Sequence, residues 1–286
     1  MLTQPNNHPD PHLTIQDQAL LHRLLHRAGI DLSRDRDNPL IAKLCALFSQ
    51  MPYENLTKII KSETVISAGS AKRLPDELIR DYLHYGTGGT CFSLTAALVA
   101  IFNAVGIDAH PILADRHYGP DTHCALVFVQ DTELFLLDPG FLIHQPAPLP
   151  TTTPGIFSSG VTTIELAPHD AGQKVELSTI FKANKRLRLT YKVSPVDGQT
   201  FGRAWERSFA WEMMTYPVLT RCSSGVHHYL QGNVLRIRQP ERTTKQVLAP
   251  EEQYAYIRHT LGIDTQIITH AFSVITHGTV PSSSPV

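Results

Sequence analysis

The chain is short of several things, and each shortage closes off a class of function. It has four cysteines in 286 residues, at positions 45, 91, 124 and 222, with no Cys-x-x-Cys pair. That is no disulfide framework and gives no structural zinc pattern. Its fifteen histidines are dispersed, no His-Glu-x-x-His occurs, and the pair His227–His228 is too short to read as a metal site. It also lacks charge of either sign in excess. Lys plus Arg number 25 against 26 Asp plus Glu, for a net charge of −1, so no basic field points to nucleic acid or to an anionic membrane. No apolar run approaches the length of a membrane span. The N-terminal "MLTQPNNHPDPHLT" has no hydrophobic signal core. What is present is ordinary for a globular protein, with 42% apolar and 18% charged residues and length enough for two or three domains. These features imply a cytoplasmic protein with a frayed leader, no metal and no nucleic-acid or membrane partner; they do not address oligomeric state.

The pattern along the chain changes near residue 107. Apolar residues at helical spacing predict helices over 14–29, 39–50, 75–85 and from Cys91 to Gly106. The last is apolar almost all round and should be buried. From there to about 195 the segments are short, β-branched or aromatic, and bounded by turn residues, as in "HCALVFVQ", "LFLLDPGF" and "RLRLTYKVSP". They predict an antiparallel, barrel-like unit, with "QPAPLPTTTPG" (145–155) a loop inside it. A helix over 200–216, a hairpin turning at Gly232–Asn233, a helix opened by Pro250 and stopped by Gly262, and a mobile tail "HGTVPSSSPV" complete the chain. The fold class is α+β: a helical bundle (1–106), a central antiparallel β-barrel (107–197) and a C-terminal α/β lid (198–286).

"TGGTC" at 87–91 carries the chemistry. Gly88 and Gly89 let the backbone turn sharply and approach a ligand. Thr90 is placed to cap the following helix. Cys91 then sits in the first turn, where free N–H groups and the helix dipole favour a thiolate and an oxyanion. From this segment alone, a small core cysteine is the favoured reading.

A nucleophile needs a base, and the base an orienting group. His123 opens the strand "HCALVFVQ", Asp138 closes "LFLLDPG", and "QDTE" between them is a hairpin turn. Facing residues of an antiparallel pair share one index sum, and a loop with an even number of residues makes that sum odd. His123 and Asp138 sum to an odd number, so their side chains share one face of the sheet. A two-residue loop at 130–131 puts them directly opposite. A four-residue loop at 130–133 puts them on a diagonal. Cys124, next along the strand, should face away from His123 as a core thiol.

The order Cys91, His123, Asp138 resembles the arylamine N-acetyltransferase family, whose segments Arg-Gly-Gly-x-Cys, Thr-His-x-x-Leu, Asp-Pro/Val-Gly-Phe and Pro-Phe-Glu-Asn-Leu are matched here by "TGGTC", "THCAL" (122–126), "LDPGF" (137–141) and "MPYENL" (51–56). "LAPEEQYAYIRHTLGI" is similar to the family's closing helix. The resemblance implies a papain/transglutaminase-like cysteine core and a ping-pong acyl transfer. An acetyl or other short acyl group would pass from acyl-CoA through a Cys91 thioester to the nitrogen of an arylamine, hydrazine or related amine, with no permanently bound cofactor. It implies Cys91, His123 and Asp138 as the catalytic set, Tyr53, Thr122 and Phe141 as substrate-binding residues, and Gly88, Gly89 and Glu54 as oxyanion or structural support. An amide synthase or cysteine hydrolase on the same core, and a catalytically silent homologue, stay open.

Departures from the family pattern cluster around the cysteine. The family's arginine before Gly-Gly is Thr87 here, while its carboxylate partner is kept as Glu54. A buried carboxylate without its arginine needs another donor, and Arg73, Arg80 and Lys58 are the candidates. Thr90 stands where the family has a bulky aromatic, and Ser93 and Thr95 replace its Glu and Asn. Trp205 and Trp211 read as packing residues on one helix.

Overall fold

The computed structural model of the chain describes residues 10–65, 67, 69–181 and 184–278. The first segment forms α1 (Gln18–Arg27), α2 (Asp37–Gln50), β1 (Tyr53–Glu54), α3 (Leu56–Thr64), α4 (Pro75–Tyr85) and α5 (Cys91–Ala104). Each helix turns an apolar stripe inward; in α1 it is Leu20, Leu21, Leu24 and Leu25. The helix expected from residue 14 starts later because the Asp17 side chain accepts from Leu20 N–H at 2.9 Å and caps it there. Helix α3 is an addition to the expected set. Every residue of α5 from Cys91 to Phe102 is buried, as its all-round apolar pattern requires. The expected leader is packed where it is described. A Cβ on Gly198 would collide with the Asp10 carboxylate, and the His12 ring lies 6.4 Å from that of Trp205. Residues 1–9 lie outside the described residues.

The second segment is one antiparallel eight-stranded sheet. Its strands are β2 (Ala109–Arg116), β3 (Gly119–Gln130), β4 (Glu133–Asp138), β5 (Ile143–Pro148), β6 (Gly155–Ser159), β7 (Thr162–His169), β8 (Lys174–Phe181) and β9 (Asn184–Lys192), in the order β5-β4-β3-β2-β9-β8-β7-β6. The two ends, β5 and β6, come together, so the sheet is a nearly closed barrel. Strand alternation divides its work. Ala125 and Val127 of β3 point into a barrel core with Ile112, Leu136, Leu177 and Tyr191. Leu126 and Phe128 point the other way, onto the helices. The loop expected over 145–155 is half strand, since β5 runs to Pro148.

The third segment holds α6 (Gly198–Arg207), two 3₁₀ turns, β10 (Val218–Ser223), β11 (Val226–Gln231), β12 (Val234–Arg238), β13 (Thr243–Val247), α7 (Pro250–His259) and α8 (Thr265–Gly278). The helix expected over 200–216 stops at Arg207. There the Lys58 ammonium donates to the Ser208 carbonyl at 2.7 Å and takes an acceptor the helix would need. Trp211 therefore lies beyond the helix that holds Trp205. The expected turn at Gly232–Asn233 is present, flanked by the pair Gln231↔Val234. The tail expected as mobile begins within α8, and residues 279–286 lie outside the described residues.

The lid sheet runs β1-β10-β11-β12-β13, so its edge strand comes from the cysteine-bearing segment. Glu54 N–H donates to Gly89 O at 3.0 Å and Gly89 N–H to Pro52 O at 3.3 Å, tying "MPYENL" to "TGGT". A Cβ on Gly88 would stand 1.9 Å from the Pro52 carbonyl oxygen. Backbone cannot yield as a side-chain tip can, so Gly88→Ala should cost about 1–3 kcal/mol of stability by overpacking. Urea unfolding checks this; a loss below about 0.5 kcal/mol would contradict the close approach.

Candidate active site

Thr90 is extended (φ −83°, ψ 174°) and its side chain makes no capping bond, contrary to the expected cap. Instead Ser93 Oγ donates back to Thr90 O at 3.1 Å. The first-turn N–H groups below Cys91 are thus not taken up by the Thr90 side chain, which leaves the positive end of the helix dipole to the cysteine. Helix α5 abuts the 3₁₀ turn Pro139–Phe141. That contact needs a glycine: a Cβ on Gly140 would lie 2.5 Å from Cys91 Cβ and 3.0 Å from His123 Cε1. Cys91, His123 and the Asp138 turn therefore meet at one point.

The hairpin that delivers His123 and Asp138 turns at Asp131 and Thr132, both with positive φ (49° and 70°), the twist that suits a two-residue loop. Gln130 pairs with Glu133 and Leu126 with Leu137. His123 and Asp138 share a face on a diagonal, the second of the two expected registers. His123 Nε2 lies 2.6 Å from Asp138 Oδ2, and both side chains are fully buried. His123 Nδ1 has no hydrogen-bond partner among the described residues; this is the nitrogen left for Cys91.

Two further donors hold this pair: Tyr191, which is missing from the expected set, and the backbone of Phe141, expected only as a substrate-binding residue. Tyr191 on β9 donates its hydroxyl to Asp138 Oδ2 at 2.6 Å, and Phe141 N–H donates to Oδ1 at 2.8 Å. The signal for Tyr191 lies 53 residues from Asp138 in the chain and depends on how the barrel closes. Cys124 is buried in one cluster with Cys91, Phe92 and Trp205. It faces off the barrel side as expected, and that side is where the flank of Cys91 lies.

The electrostatics favour an ion pair. The Cys124 thiol beside it and, against the opposing effect of burial, the neighbouring His123 hold the Cys91 thiol well below its ordinary value. Burial works against the His123 imidazolium, but the Asp138 carboxylate and Cys91 outweigh it and push its pKa up to about 9.

Glu54 has found its arginine. Arg73 Nη1 lies 3.5 Å from Glu54 Oε1 and donates to Gly88 O at 2.8 Å and to Thr57 Oγ1 at 2.6 Å. Thr57 Oγ1 in turn donates to Glu54 at 2.5 Å. Arg80 is exposed, and Lys58 lies 4.4 Å from the Phe209 ring centre. Thr87 is buried with a hydroxyl that has no partner among the described residues, and Arg73 takes the place beside Glu54 that Thr87 does not fill.

A cavity of about 870 Å³ opens between barrel and lid, and Tyr53, Gly140 and Phe141 form the part of its wall beside Cys91. Phe141 sets its ring edge-on to His123 at 6.5 Å. Thr122, expected to bind substrate, is not in the wall: its hydroxyl donates to Gly119 O at 2.8 Å. Gly89 packs against Ser93, whose Oγ lies 2.2 Å from where a Cβ would be.

No family model matches the chain, and no curated protein matches it in sequence. Solved structures match it in fold. The arylamine N-acetyltransferase of Mycobacterium abscessus superposes with a TM-score of 0.78 at 18% identity, over 96% of this chain and 99% of its own. That of Nocardia farcinica gives 0.78 at 19% identity, over 94% and 98%. A Bacillus cereus arylamine N-acetyltransferase with a Cys-His-Glu catalytic triad gives 0.69 at 17%, over 86% and 98%. The chain carries the arylamine N-acetyltransferase fold, and the expected α+β architecture of bundle, barrel and lid is borne out. At these identities the likeness is one of fold, and function must be argued from the site.

The ion pair has a pH signature. With the Cys91 thiol held well below its ordinary value and His123 raised to about 9, the folded pair (thiolate, imidazolium) and the unfolded pair (thiol, neutral imidazole) hold the same number of protons near neutral pH. The raised histidine stabilises below its unfolded pKa and loses that contribution as pH rises through about 9. The lowered cysteine gains its contribution over the same range, so the pair gives no net slope. Iodoacetamide alkylation of Cys91 should therefore stay level from about pH 8 down to pH 6.5, while a free thiol slows about tenfold per unit. A tenfold fall for Cys91 would mean a neutral thiol.

Proposed function

We propose that the chain is a Cys-His-Asp acyltransferase. It moves an acetyl or other short acyl group from acyl-CoA, through a Cys91 thioester, to the nitrogen of an arylamine, hydrazine or related amine. The observation that carries this reading is His123, buried between the helix-terminal Cys91 on one side and Asp138 Oδ2 at 2.6 Å on the other. That is the order nucleophile, base, orienting group.

The steps follow from the ion pair. Cys91 thiolate attacks the thioester carbonyl carbon, with first-turn N–H groups of α5 facing the developing oxyanion. The carbon–sulfur bond to CoA breaks, and the leaving thiolate takes the His123 proton. An amine then attacks the acyl-cysteine. Cys91 leaves as thiolate, and the proton lost by the amine nitrogen passes to His123, restoring the pair. Asp138 holds the ring in place and offsets its charge throughout. An arylamine nitrogen suits this scheme because it is unprotonated near neutral pH. Phe141 and Tyr53 offer aromatic wall to such a substrate. In this reading segment 1–106 supplies the nucleophile, 107–197 the base and its carboxylate, and 198–286 the cover.

Incubation with acetyl-CoA followed by intact-mass measurement should show one acyl group on the protein, absent from Cys91→Ala. His123→Ala should slow loading by about 10²–10⁴. Adding an arylamine or hydrazide should discharge the acyl group onto nitrogen. Discharge to water alone would favour a hydrolase, and absence of loading by any thioester would sink the transferase reading.

A further inference from the structure

The cavity wall does not share the charge balance of the chain. Arg116, Arg188, Arg236 and Arg238 line it, and no Asp or Glu is among the described lining residues. Arginine ion pairs with carboxylates do occur elsewhere, at Arg34, Arg73 and Arg207. None among the described residues involves the four in the wall. Four guanidinium groups in one cleft, none with a carboxylate partner among the described residues, are complementary to an anionic ligand.

Arg116 is the one tied to the chemistry: two residues before it on β2, Ala114 pairs with His123, and its side chain shares the cavity wall with Tyr53 and Gly140. Its placement is built rather than incidental. The pairing of β2 with β3 breaks register between Ala114 and Arg116, and such a bulge re-aims the side chain that follows. Thr122 Oγ1 fixes the bulge, accepting from Arg116 N–H at 3.3 Å. The guanidinium carbon lies 5.7 Å from the Tyr118 ring centre. Its Nε is buried without a hydrogen-bond partner among the described residues. Asp115 next to it is neutralised by Lys192 at 2.7 Å, so the barrel balances the carboxylate and leaves the guanidinium open.

An acetyl group gives Arg116 nothing to hold. We propose that the acyl group carried by Cys91 ends in a second carboxylate, so that the donor is a dicarboxylic acid monothioester of the malonyl or succinyl type, and that Arg116 selects it. This rests on the acyltransferase reading and adds no bond-making step. Arg116 pairs with the distal carboxylate while the thioester exchange proceeds at the other end. The acyl group is the favoured source of the anion because it sits on the Cys91 sulfur in both halves of the reaction, and Arg116 is the wall arginine whose backbone is hydrogen-bonded to Thr122, the residue before His123.

The test is a set of Cys91 loading rates by intact mass with acetyl-, propionyl-, malonyl- and succinyl-CoA on the full chain. All four share the CoA portion, so any attraction of its phosphates to the other arginines cancels in the ratio. Malonyl- or succinyl-CoA should load at least about tenfold faster than propionyl-CoA at subsaturating donor. Arg116→Gln should cut that ratio at least about tenfold, and Arg116→Lys should restore part of it. A ratio taken within one variant is insensitive to the fraction folded. Propionyl-CoA loading as fast as both acidic donors, or a ratio unmoved by Arg116→Gln, would overturn the proposal and leave the transferase reading standing. So would an Arg116-dependent preference confined to the acceptor, seen as acetyl-enzyme discharging faster to 4-aminobenzoate than to aniline. Failure of every thioester to load would overturn the transferase reading and this proposal together.

Discussion

The Asp138 carboxylate is the constraint on which the site depends. It is fully buried, and a buried carboxylate survives only if its lone pairs are met. Three donors meet them: His123 Nε2, the Tyr191 hydroxyl and the Phe141 N–H. Each comes from a different piece of the barrel, β3, β9 and the turn after β4. The barrel must close correctly for the charge to be tolerated, and the charge then fixes the imidazole that faces Cys91. Folding and reactivity share this interaction. A barrel misregistered by one residue would turn His123 to the helix side and leave Asp138 buried without it.

A second buried carboxylate performs the matching task for the helical segment. Glu54 draws Arg73, Thr57 and the Gly88 carbonyl into one network. Burial raises the pKa of Glu54, against the pull of Arg73 and Thr57. Arg73 also pairs with Asp81 at 2.8 Å, which links the turn before Cys91 to α4. The two networks hold the two sides of the nucleophile: one positions the backbone leading into it, the other the base beside it.

Much of this was legible in the sequence, for reasons that differ residue by residue. The shared face of His123 and Asp138 followed from parity alone, because a tight hairpin leaves few registers to choose among. The diagonal offset did not, since it depends on where Asp131 and Thr132 adopt positive φ. α5 was legible because nothing but burial explains its composition. α3 was not: nine residues after "MPYEN" give too little periodicity to separate from a loop. Arg73 was one of three candidate partners for Glu54, and only packing excludes Arg80 and Lys58. Tyr191 was invisible as a site residue, because the approach of β9 to β4 is a product of closure, which no local pattern encodes. The end of α6 was equally hidden, being set by a lysine 150 residues away.

The lid has a mechanical consequence that follows from its edge. Strand β1 pairs Tyr53 with Thr220 and Glu54 with Leu219 of β10, and Tyr53 also bridges Gly89. The same two residues thus belong to the lid sheet, to the cavity wall through Tyr53, and to the backbone that leads into Cys91. A displacement of the lid sheet large enough to widen the cavity would pull on the Gly88–Gly89 turn, where Gly88 already touches the Pro52 carbonyl. Backbone hydrogen bonds and close packing resist this more strongly than side-chain contacts do. The cavity therefore opens most readily on the side away from β1, where β12 and β13 present Arg236, Arg238 and Thr243. The end of the cleft beside Cys91 is held to one geometry, and freedom to admit substrates of different size belongs to the arginine-lined end.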